Sequence, residues 1–375
     1  MFIKKIVAAL FACSIVTVAI AEEVKIGSVT SLTGGNSSTS TEGIRIFKGY
    51  VDMINAKGGI NGNMLKSVVK DDESDPRKTP ALVDEAINKD NVIALVNGVG
   101  TVNTMAIMKT GILNKHDVPL VGVFSGSDAI RGPGSEQIFH TRANYASEVM
   151  KIARLASTIG LKRVAVLYQD DGFGASINQS IAKAAEEFKF EVINKTSYKS
   201  GDTDFTQQAK QIIDSKPQAI FLMGVPDAVT RFMKVYDAPA GASQIYALSF
   251  IQVKDLVTAV GEKRVRGMGI SQVVPNPNTA SIPLAKDFLK FLKTPYAAGV
   301  QSNHINFEVY LNVRLLVDAV RMAGANPTPK KITKALISMN GYQLAGLPIN
   351  FSETNRRGSS YLDIGVIGVN GRLTN

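Results

Sequence analysis

The chain has 375 residues, of which 45% are hydrophobic and 20% are charged. This length and composition indicate a globular protein of about two domains. The formal net charge is +10, but the basic residues are scattered and form no stripe interleaved with aromatic side chains, which argues against a nucleic-acid partner. Cys13 is the only cysteine, so the sequence excludes an internal disulfide. The chain after residue 13 therefore contains no thiol nucleophile and no thiolate metal ligand.

The first 21 residues have the pattern of a secretory signal peptide. Lys4 and Lys5 form a basic start, residues 6–20 form an apolar core, and Ala19-Ile20-Ala21 fits a cleavage site between small residues. We therefore predict cleavage after Ala21 and export of the remaining chain. The alternative is an N-terminal membrane anchor, but the apolar core is shorter than the ~20 residues that span a bilayer.

After this leader, short apolar runs alternate with segments of helical periodicity. Strands that alternate with helices at this spacing indicate βαβ units and a parallel sheet. The first array has predicted strands at 25–29, 65–71, 91–96 and 118–124, and predicted helices at 42–56, 80–89 and 103–114.

The same alternation restarts near residue 147, so the fold class is α/β with two βα arrays. The second array has predicted strands at 163–168, 190–198, 218–223 and 244–249, and predicted helices at 147–160, 176–188, 205–214 and 227–236. The alternation ends after residue 275. From there the sequence predicts helices at 282–292, 305–323 and 330–338, and then strands at 348–351 and 361–369.

Two neighbouring predicted strands end in glycine and hydroxyl residues. The strand at 91–96 runs into VNGVGTVNTMA, and the strand at 118–124 ends in Phe124-Ser125-Gly126-Ser127. Ligands of open α/β sheets bind beyond the carboxyl ends of the strands. Backbone and hydroxyl donors beside a helix N-terminus form a cradle for an anion. No lysine follows Gly98 or Gly100 as a phosphate loop requires, so a carboxylate fits better; two ordinary βα turns are the alternative.

Motifs for other chemistries are weak. Asp71-Asp72-Glu73-Ser74-Asp75 could hold a metal, but the pattern is also typical of a polar loop after a strand. Asp170-Asp171-Gly172 could supply paired catalytic carboxylates, but it is typical of a turn before a helix. His116, His140 and His304 match no metal-binding spacing, and no GxSxG elbow is present. We therefore predict no catalytic residue, no metal and no cofactor.

Several longer motifs, taken in order, resemble one family. They are VKIGSVTSLTG, FKGYVDMINAKGGINGNMLKSVVKDDESDP, GVGTVNTMA, FHTRANYASE, RVAVLYQDDGFG, GMGISQVVP and NFEVYLNVRLLVDA. The most specific is INAKGGINGNML followed by DDESDP. The chain resembles periplasmic solute-binding proteins of the branched-chain amino-acid (Leu/Ile/Val-binding) family, which serve ABC importers. The resemblance covers residues 23–372.

This resemblance implies a type I periplasmic binding fold, in which two βα lobes with parallel sheets are joined by a three-strand hinge around a ligand cleft. It implies crossings near residues 143, 272 and 348, with lobe 1 at 22–143 plus 273–348 and lobe 2 at 144–272 plus 349–375. The implied function is capture of a small organic solute by a periplasmic monomer that closes at its hinge and delivers the solute to a membrane permease. The alternatives are a periplasmic sensor that acts with a membrane receptor and an exported α/β enzyme.

The resemblance also implies ligand-binding roles. In the family, strand-end loops of the first lobe bind the ligand's carboxylate, which corresponds here to Gly100, Thr101 and the segment 125–127. Another loop of the first lobe covers the ligand's side chain, and an aromatic residue of the second lobe acts as a lid. The positions carried over are Thr41, Glu42, Gly100, Thr101, Ser125, Gly126, Ser127, Tyr145, Phe173, Gly224, Val225 and Ser249.

Two positions depart from the family pattern. The amino-acid binders place a carboxylate near Ser249 for the ligand's ammonium and an aromatic residue near Val225. Burying an ammonium without a charged partner is costly. Asp227 or Glu42 could replace the missing acid, or the ligand could be a carboxylate without an amine. Both ligand classes therefore stay open.

Overall fold

The structure, a computed structural model, describes residues 23–239 and 241–374. The predicted signal peptide and Cys13 lie outside the described residues. Over the described part, the chain forms two α/β units, each built around its own sheet, and a separate small hairpin. None of the helices described is long and apolar enough to cross a membrane.

The first unit contains alternating strands and helices from the start of the described chain. They are β1 (Glu23–Thr30), α1 (Ser37–Asn55), β2 (Met64–Asp71), α2 (Thr79–Asn88), β3 (Ala94–Val96), α3 (Thr101–Thr110), α4 (Ile112–Lys115), β4 (Leu120–Val121) and β5 (Ile138–Phe139). All five strands are parallel, in the order β2-β1-β3-β4-β5. The predicted first βα array is confirmed.

The second unit repeats this architecture. Its elements are α5 (Tyr145–Thr158), β6 (Arg163–Gln169), α6 (Gly172–Phe188), β7 (Glu191–Tyr198), α7 (Thr206–Asp214), β8 (Ala219–Met223), α8 (Pro226–Val235), β9 (Gln244–Ala247), α9 (Val253–Val260), α10 (Glu262–Val265) and β10 (Gly269–Gln272). The strands pair in parallel in the order β7-β6-β8-β9-β10. The second predicted array is therefore also confirmed.

The chain then returns to the first unit before it finishes on the second. The returning elements are α11 (Pro283–Leu292), α12 (His304–Met322), α13 (Pro329–Ile337), β11 (Asn340–Leu344) and β12 (Leu347–Asn350). Helix α12 packs against α1 and reaches β3, as the resemblance implied for the late helices. Finally β13 (Asp363–Ile367) adds antiparallel to β10, and β14 (Leu373–Thr374) pairs with β13.

The strand predicted at 348–351 is present as β12, but it does not join the second sheet. Strand β12 pairs antiparallel with β11 in a two-stranded hairpin of its own. The turn is made by Ala345 and Gly346, whose φ values are 47° and 92°, and this left-handed geometry matches the twist of a tight hairpin. Strand β11 is largely exposed and polar, which is why the apolar pattern did not indicate it.

Several helix boundaries also differ from the prediction; α6, for example, begins at Gly172 rather than at residue 176. Helix α1 begins at Ser37 rather than at residue 42, because the serine and threonine residues of its first turns are weak helix formers and hide the start of the helical pattern. Helix α3 ends at Thr110 rather than at residue 114. Gly111, with φ 66°, adopts the left-handed conformation that ends helices.

A buried polar contact joins α12 to the strand ends of the first sheet. Asn312 is fully buried. Its Oδ1 accepts a hydrogen bond from Thr141 Oγ1 at 2.6 Å, and its Nδ2 donates to Asn97 Oδ1 at 2.8 Å and to the Gly122 carbonyl at 3.3 Å. Because these partners follow β3, β4 and β5, Asn312 fixes the edge of the sheet from which the candidate site is built.

Candidate functional site

A cavity of about 290 Å³ lies between the two units. It sits at the carboxyl ends of both sheets, where the strand order reverses around β1 and around β6, which is the usual ligand position in open α/β sheets. Its lining residues are Asn36, Thr39, Ser74, Pro76, Val99, Gly100, Thr101, Val102, Asn103 and Phe124 from the first unit, and Tyr145, Gln169, Asp171, Phe173, Ser200, Val225, Pro226 and Phe250 from the second.

The N-terminus of α3 faces this cavity. Gly100, Thr101, Val102 and Asn103 all line it, and no side chain caps the helix. The N–H groups of the first turn therefore lack partners within the helix and carry the positive end of its dipole. Gly100 adopts φ 96°, and a Cβ there would lie 2.8 Å from Asn103 Oδ1, so glycine is needed to start the helix this way. The arrangement can bind an anion such as a carboxylate.

A chain of hydroxyl groups supports this end of the cavity. Thr101 Oγ1 lies 2.8 Å from Ser125 Oγ, and the Tyr145 hydroxyl donates to Ser125 Oγ at 3.5 Å. The Ser127 N–H also donates to Ser125 Oγ, at 3.2 Å. Burial raises the pKa of Tyr145, so its phenol keeps the proton that it donates. The contacts hold Thr101 in position at the cavity wall.

Aromatic side chains form a second part of the cavity wall. Tyr145 lies edge-on to Phe173 and Phe250, with ring centroids 5.3 and 5.9 Å apart, and Phe173 and Phe250 are 6.3 Å apart. Phe124 adds a fourth ring from the first unit. Such a wall favours an apolar ligand group by excluding water from it.

Asp171 is the only acidic residue among the lining residues of the cavity. Its Oδ1 accepts from the N–H groups of Phe173 and Gly174, at 2.9 and 3.2 Å, and so caps α6. The expectation of a turn before a helix at 170–172 is therefore confirmed. Asp171 Oδ2 accepts from Gln169 Nε2 at 2.6 Å, while the buried Oε1 of Gln169 has no hydrogen-bond partner.

Eight of the carried-over positions lie at the cavity or directly behind it. Those that line it are Gly100, Thr101, Tyr145, Phe173 and Val225. Those behind it are Ser125, Gly126 and Ser127, all buried. Ser127 Oγ accepts from the Ala129 N–H at 3.3 Å, and a Cβ on Gly126 would lie 2.6 Å from Tyr145 Cδ1. Their contacts position the loop after β4 rather than line the cavity.

The other four positions lie away from the cavity. Thr41 Oγ1 donates to the Ser37 carbonyl at 2.9 Å. Glu42 lines a separate depression and accepts from Asn306 Nδ2 and from the Gln301 N–H. Gly224 lies beside the Tyr198 hydroxyl, which would be 2.9 Å from an added Cβ. Ser249 belongs to a buried ionic cluster, described below.

That cluster joins the two units behind the aromatic wall. The fully buried Arg142 places Nε 3.1 Å from Glu308 Oε1 and donates from Nη2 to Ser249 Oγ at 2.8 Å. Glu148 Oε2 accepts from the Ser249 N–H at 3.1 Å and from Ser271 Oγ at 2.6 Å. Burial raises the pKa of Glu308 to about 7; Glu148 acts in the same direction and Arg142 opposes it.

The acidic loop after β2 uses its carboxylates internally. Asp72 is buried and accepts from Ser31 Oγ at 2.7 Å, from Thr79 Oγ1 at 2.9 Å and from Asn103 Nδ2 at 3.0 Å. Asp71 accepts from backbone N–H groups of the loop after β1. In the part of the chain that the structure describes, no group of three His, Cys, Asp or Glu side chains could hold a metal ion.

Several lining residues were missed by the sequence reading. Phe124 precedes the predicted serine loop, and Phe250 follows Ser249 directly, so a search one residue to either side would have found both. Gln169 and Asp171 lie in the motif that supplied Phe173, where the acid was weighed as a catalytic carboxylate or part of a turn and not as a ligand-binding group. Asn36, Thr39, Ser74, Pro76, Ser200 and Pro226 are loop or helix-start residues without a motif of their own.

Comparisons with known proteins agree with this architecture. The sequence profile of the periplasmic binding protein family matches residues 23–371. Leu/Ile/Val-binding protein homolog 3 of Brucella melitensis is 21% identical over 91% of this chain and 90% of its own length. A substrate-binding periplasmic protein of Ralstonia solanacearum is 28% identical, with a TM-score of 0.88 over 93% of this chain and 99% of that one.

A more distant structure shares the fold as well. A branched-chain amino acid ABC transporter protein of Thermus thermophilus, solved with bound valine, has a TM-score of 0.83 at 18% identity and covers 94% of this chain and 95% of that one. The two-sheet α/β architecture is thus that of the type I periplasmic binding proteins. Because the profile matches nearly all of the described residues, the chain belongs to the periplasmic binding protein family.

Proposed function

We propose that this chain is the solute-binding component of an ABC importer and captures a small carboxylate-bearing solute, an amino acid or a related organic acid. The observation that carries the proposal is the uncapped N-terminus of α3, which opens onto a cavity with aromatic walls. The cavity volume of about 290 Å³ is just below the ~300–1,000 Å³ of pockets for drug-sized ligands, so it suits a smaller solute of amino-acid size. The names of the relatives support the same ligand class.

Within this proposal, the lobes are residues 22–143 plus 273–348 and residues 144–272 plus 349–375, and they close about three crossings near 143, 272 and 348. Contacts across the cleft support closure. Gln252 Nε2 donates to the Ser38 carbonyl, and Gln252 Oε1 accepts from Asn303 Nδ2 at 3.3 Å. In this proposal a permease in the inner membrane recognises the form that hinge closure around the ligand produces.

The ligand's carboxylate is bound by Gly100 and Thr101, and Tyr145, Phe173 and Val225 contact the rest of it. The loop residues 125–127 act by holding Thr101 and Tyr145 in place. Thr41, Glu42, Gly224 and Ser249 do not line the cavity, so the proposal gives them no direct contact with the ligand. The chain acts as a monomer in the periplasm, without a cofactor and without catalysing a reaction.

The test begins with expression of the full chain with its own leader. Recovery from a periplasmic extract with residue 22 as the first residue would support export and cleavage. The purified protein is unfolded and refolded to remove bound solute, and its melting temperature is measured with amino acids, their 2-keto acids, and aliphatic and aromatic acids. A ligand that binds only the folded state raises the melting temperature, and we expect at least one carboxylate to bind with micromolar affinity, about −8 kcal/mol. No shift with any of them would contradict the proposed function.

A further inference from the structure

The cavity has a negative group, Asp171, near its positive end at the start of α3. We propose that the solute is an α-amino acid whose ammonium is bound by Asp171 Oδ2 and Gln169 Oε1, while its carboxylate lies at the N-terminus of α3. The inference rests on the proposed function and specifies its substrate class. It assigns the amine to the loop between β6 and α6, a segment to which the family resemblance assigned no acid.

Asp171 has acceptor capacity left for this contact. An ionised carboxylate offers about four lone-pair sites, and the structure uses three of them, for the N–H groups of Phe173 and Gly174 and for Gln169 Nε2. Gln169 itself is buried, and its Oε1 has no hydrogen-bond partner. Since buried acceptors are normally paired, a donor from the ligand would satisfy it.

The two charged ends of the cavity are close together. Gly172, next to Asp171, approaches α3 so nearly that a Cβ on it would lie 3.4 Å from Val102 Cγ1 and 3.6 Å from Met105 Sδ. The start of α6 therefore packs against the start of α3, and both helix starts line the same cavity. In an α-amino acid a single carbon separates the ammonium from the carboxylate, so one ligand can reach both helix starts.

The remaining candidates for an ammonium partner are occupied elsewhere. Ser249 Oγ accepts from Arg142, so a cation near it would meet a buried guanidinium. Asp227 is paired with Arg231 Nε at 2.7 Å and lines a different depression. Glu42 accepts from Asn306 and from the Gln301 N–H. Because neither of these acids lines the cavity, Asp171 is the acid that the geometry offers.

The rest of the cavity selects an apolar side chain. Phe124, Phe173, Phe250 and Val225 contribute its hydrophobic lining. Leucine and phenylalanine have such side chains, and 4-methylpentanoate and 3-phenylpropanoate are the same molecules without the amine. The ratio of affinities within each pair measures the contribution of the ammonium alone.

The experiment compares these four ligands by titration calorimetry on the full-length exported protein and three variants. Asp171→Asn keeps an oxygen that can cap α6 and removes the charge. Gln169→Leu removes the unpaired acceptor and leaves Asp171. Asp170→Asn is the matched control, because this neighbouring side chain is exposed and does not line the cavity.

We expect the unmodified protein to bind at least one amino acid tenfold or more tightly than its amine-free partner. Asp171→Asn should reduce that ratio at least tenfold, Gln169→Leu should reduce it severalfold, and Asp170→Asn should leave it unchanged. Equal binding of the amine-free acids, or an unchanged ratio in Asp171→Asn, would overturn the inference while the proposed carboxylate-binding function stands. Failure of all four ligands, together with the wider acid panel, would overturn both.

Discussion

The buried cluster of Arg142, Glu308 and Glu148 predicts a specific dependence of stability on pH. It contains one guanidinium and two carboxylates, all inaccessible to solvent, so a proton on one carboxylate balances the charge. Burial, reinforced by Glu148, raises the pKa of Glu308 from 4.5 to about 7. We expect Glu308→Gln, which keeps the shape but cannot titrate, to remove this dependence.

The sign and size of this pH dependence follow from the pKa of Glu308 in the unfolded chain, 4.5, and in the folded protein, about 7. The folded protein binds the Glu308 proton more tightly than the unfolded chain does, so the contribution to stability is complete below pH 4.5. It is lost as the pH rises to about 7. Each factor of ten in proton affinity corresponds to about 1.4 kcal/mol. Glu308 should therefore lower the free energy of unfolding by about 3 kcal/mol between pH 4.5 and pH 8.

Urea unfolding of the unmodified protein and of Glu308→Gln at these two pH values measures the effect. Titrating groups outside the cluster contribute equally to both proteins, so the difference between their free energies of unfolding should change by about 3 kcal/mol with pH. Glu187→Gln is the control, since Glu187 is an exposed helical carboxylate and its removal should leave the pH dependence unaltered. If the free energies of unfolding of the unmodified protein and of Glu308→Gln change with pH by the same amount, the reasoning about the cluster is refuted.

Substitutions at three further positions test the site and its support. Thr101→Val should weaken ligand binding by about 1–3 kcal/mol because it removes the hydroxyl that contacts Ser125. Thr101→Ser should bind normally, and calorimetry that finds the two alike would contradict the assignment. Gly126→Ala should destabilise the fold by about 1–3 kcal/mol, since its Cβ would lie 2.6 Å from Tyr145, and an unchanged urea midpoint would count against this contact. Asn312→Leu should cost about 3 kcal/mol by leaving its buried partners unpaired, and a stability loss below 1 kcal/mol would argue against that network.

Most of the fold could be predicted because the strands of both sheets lie between helices. Every residue of β8 is buried, so its sequence AIFLM is apolar throughout and easily distinguished from the flanking helices. Strand β11 lacks this property, because it pairs only with β12 and exposes most of its residues. The apolar pattern therefore failed to indicate a strand that is mostly exposed and belongs to neither of the two large sheets.

The position of the site could be predicted, but its exact membership could not. Parallel strands end at a common edge, so the loops after β3 and β4 had to lie together. Whether a side chain reaches the cavity depends on its neighbours. Thr101 lines the wall, while Ser125 lies behind it and contacts it. Ser249 Oγ accepts a hydrogen bond from Arg142, which is distant in the sequence, so no local pattern indicates this contact.

Asp171 illustrates why a helix cap can conceal a ligand-binding residue. Asp-Gly before a helix is typical of a capping turn, and Asp171 Oδ1 does cap α6. Capping occupies one carboxylate oxygen, and the other is directed to Gln169. The sequence of a cap is the same whether the second oxygen faces solvent or a ligand. What distinguishes the two cases here is the approach of Gly172 to Val102 on the other unit, which places the cap at the cavity. An acid that is missing from one loop can therefore be supplied by a residue of another loop that also caps a helix.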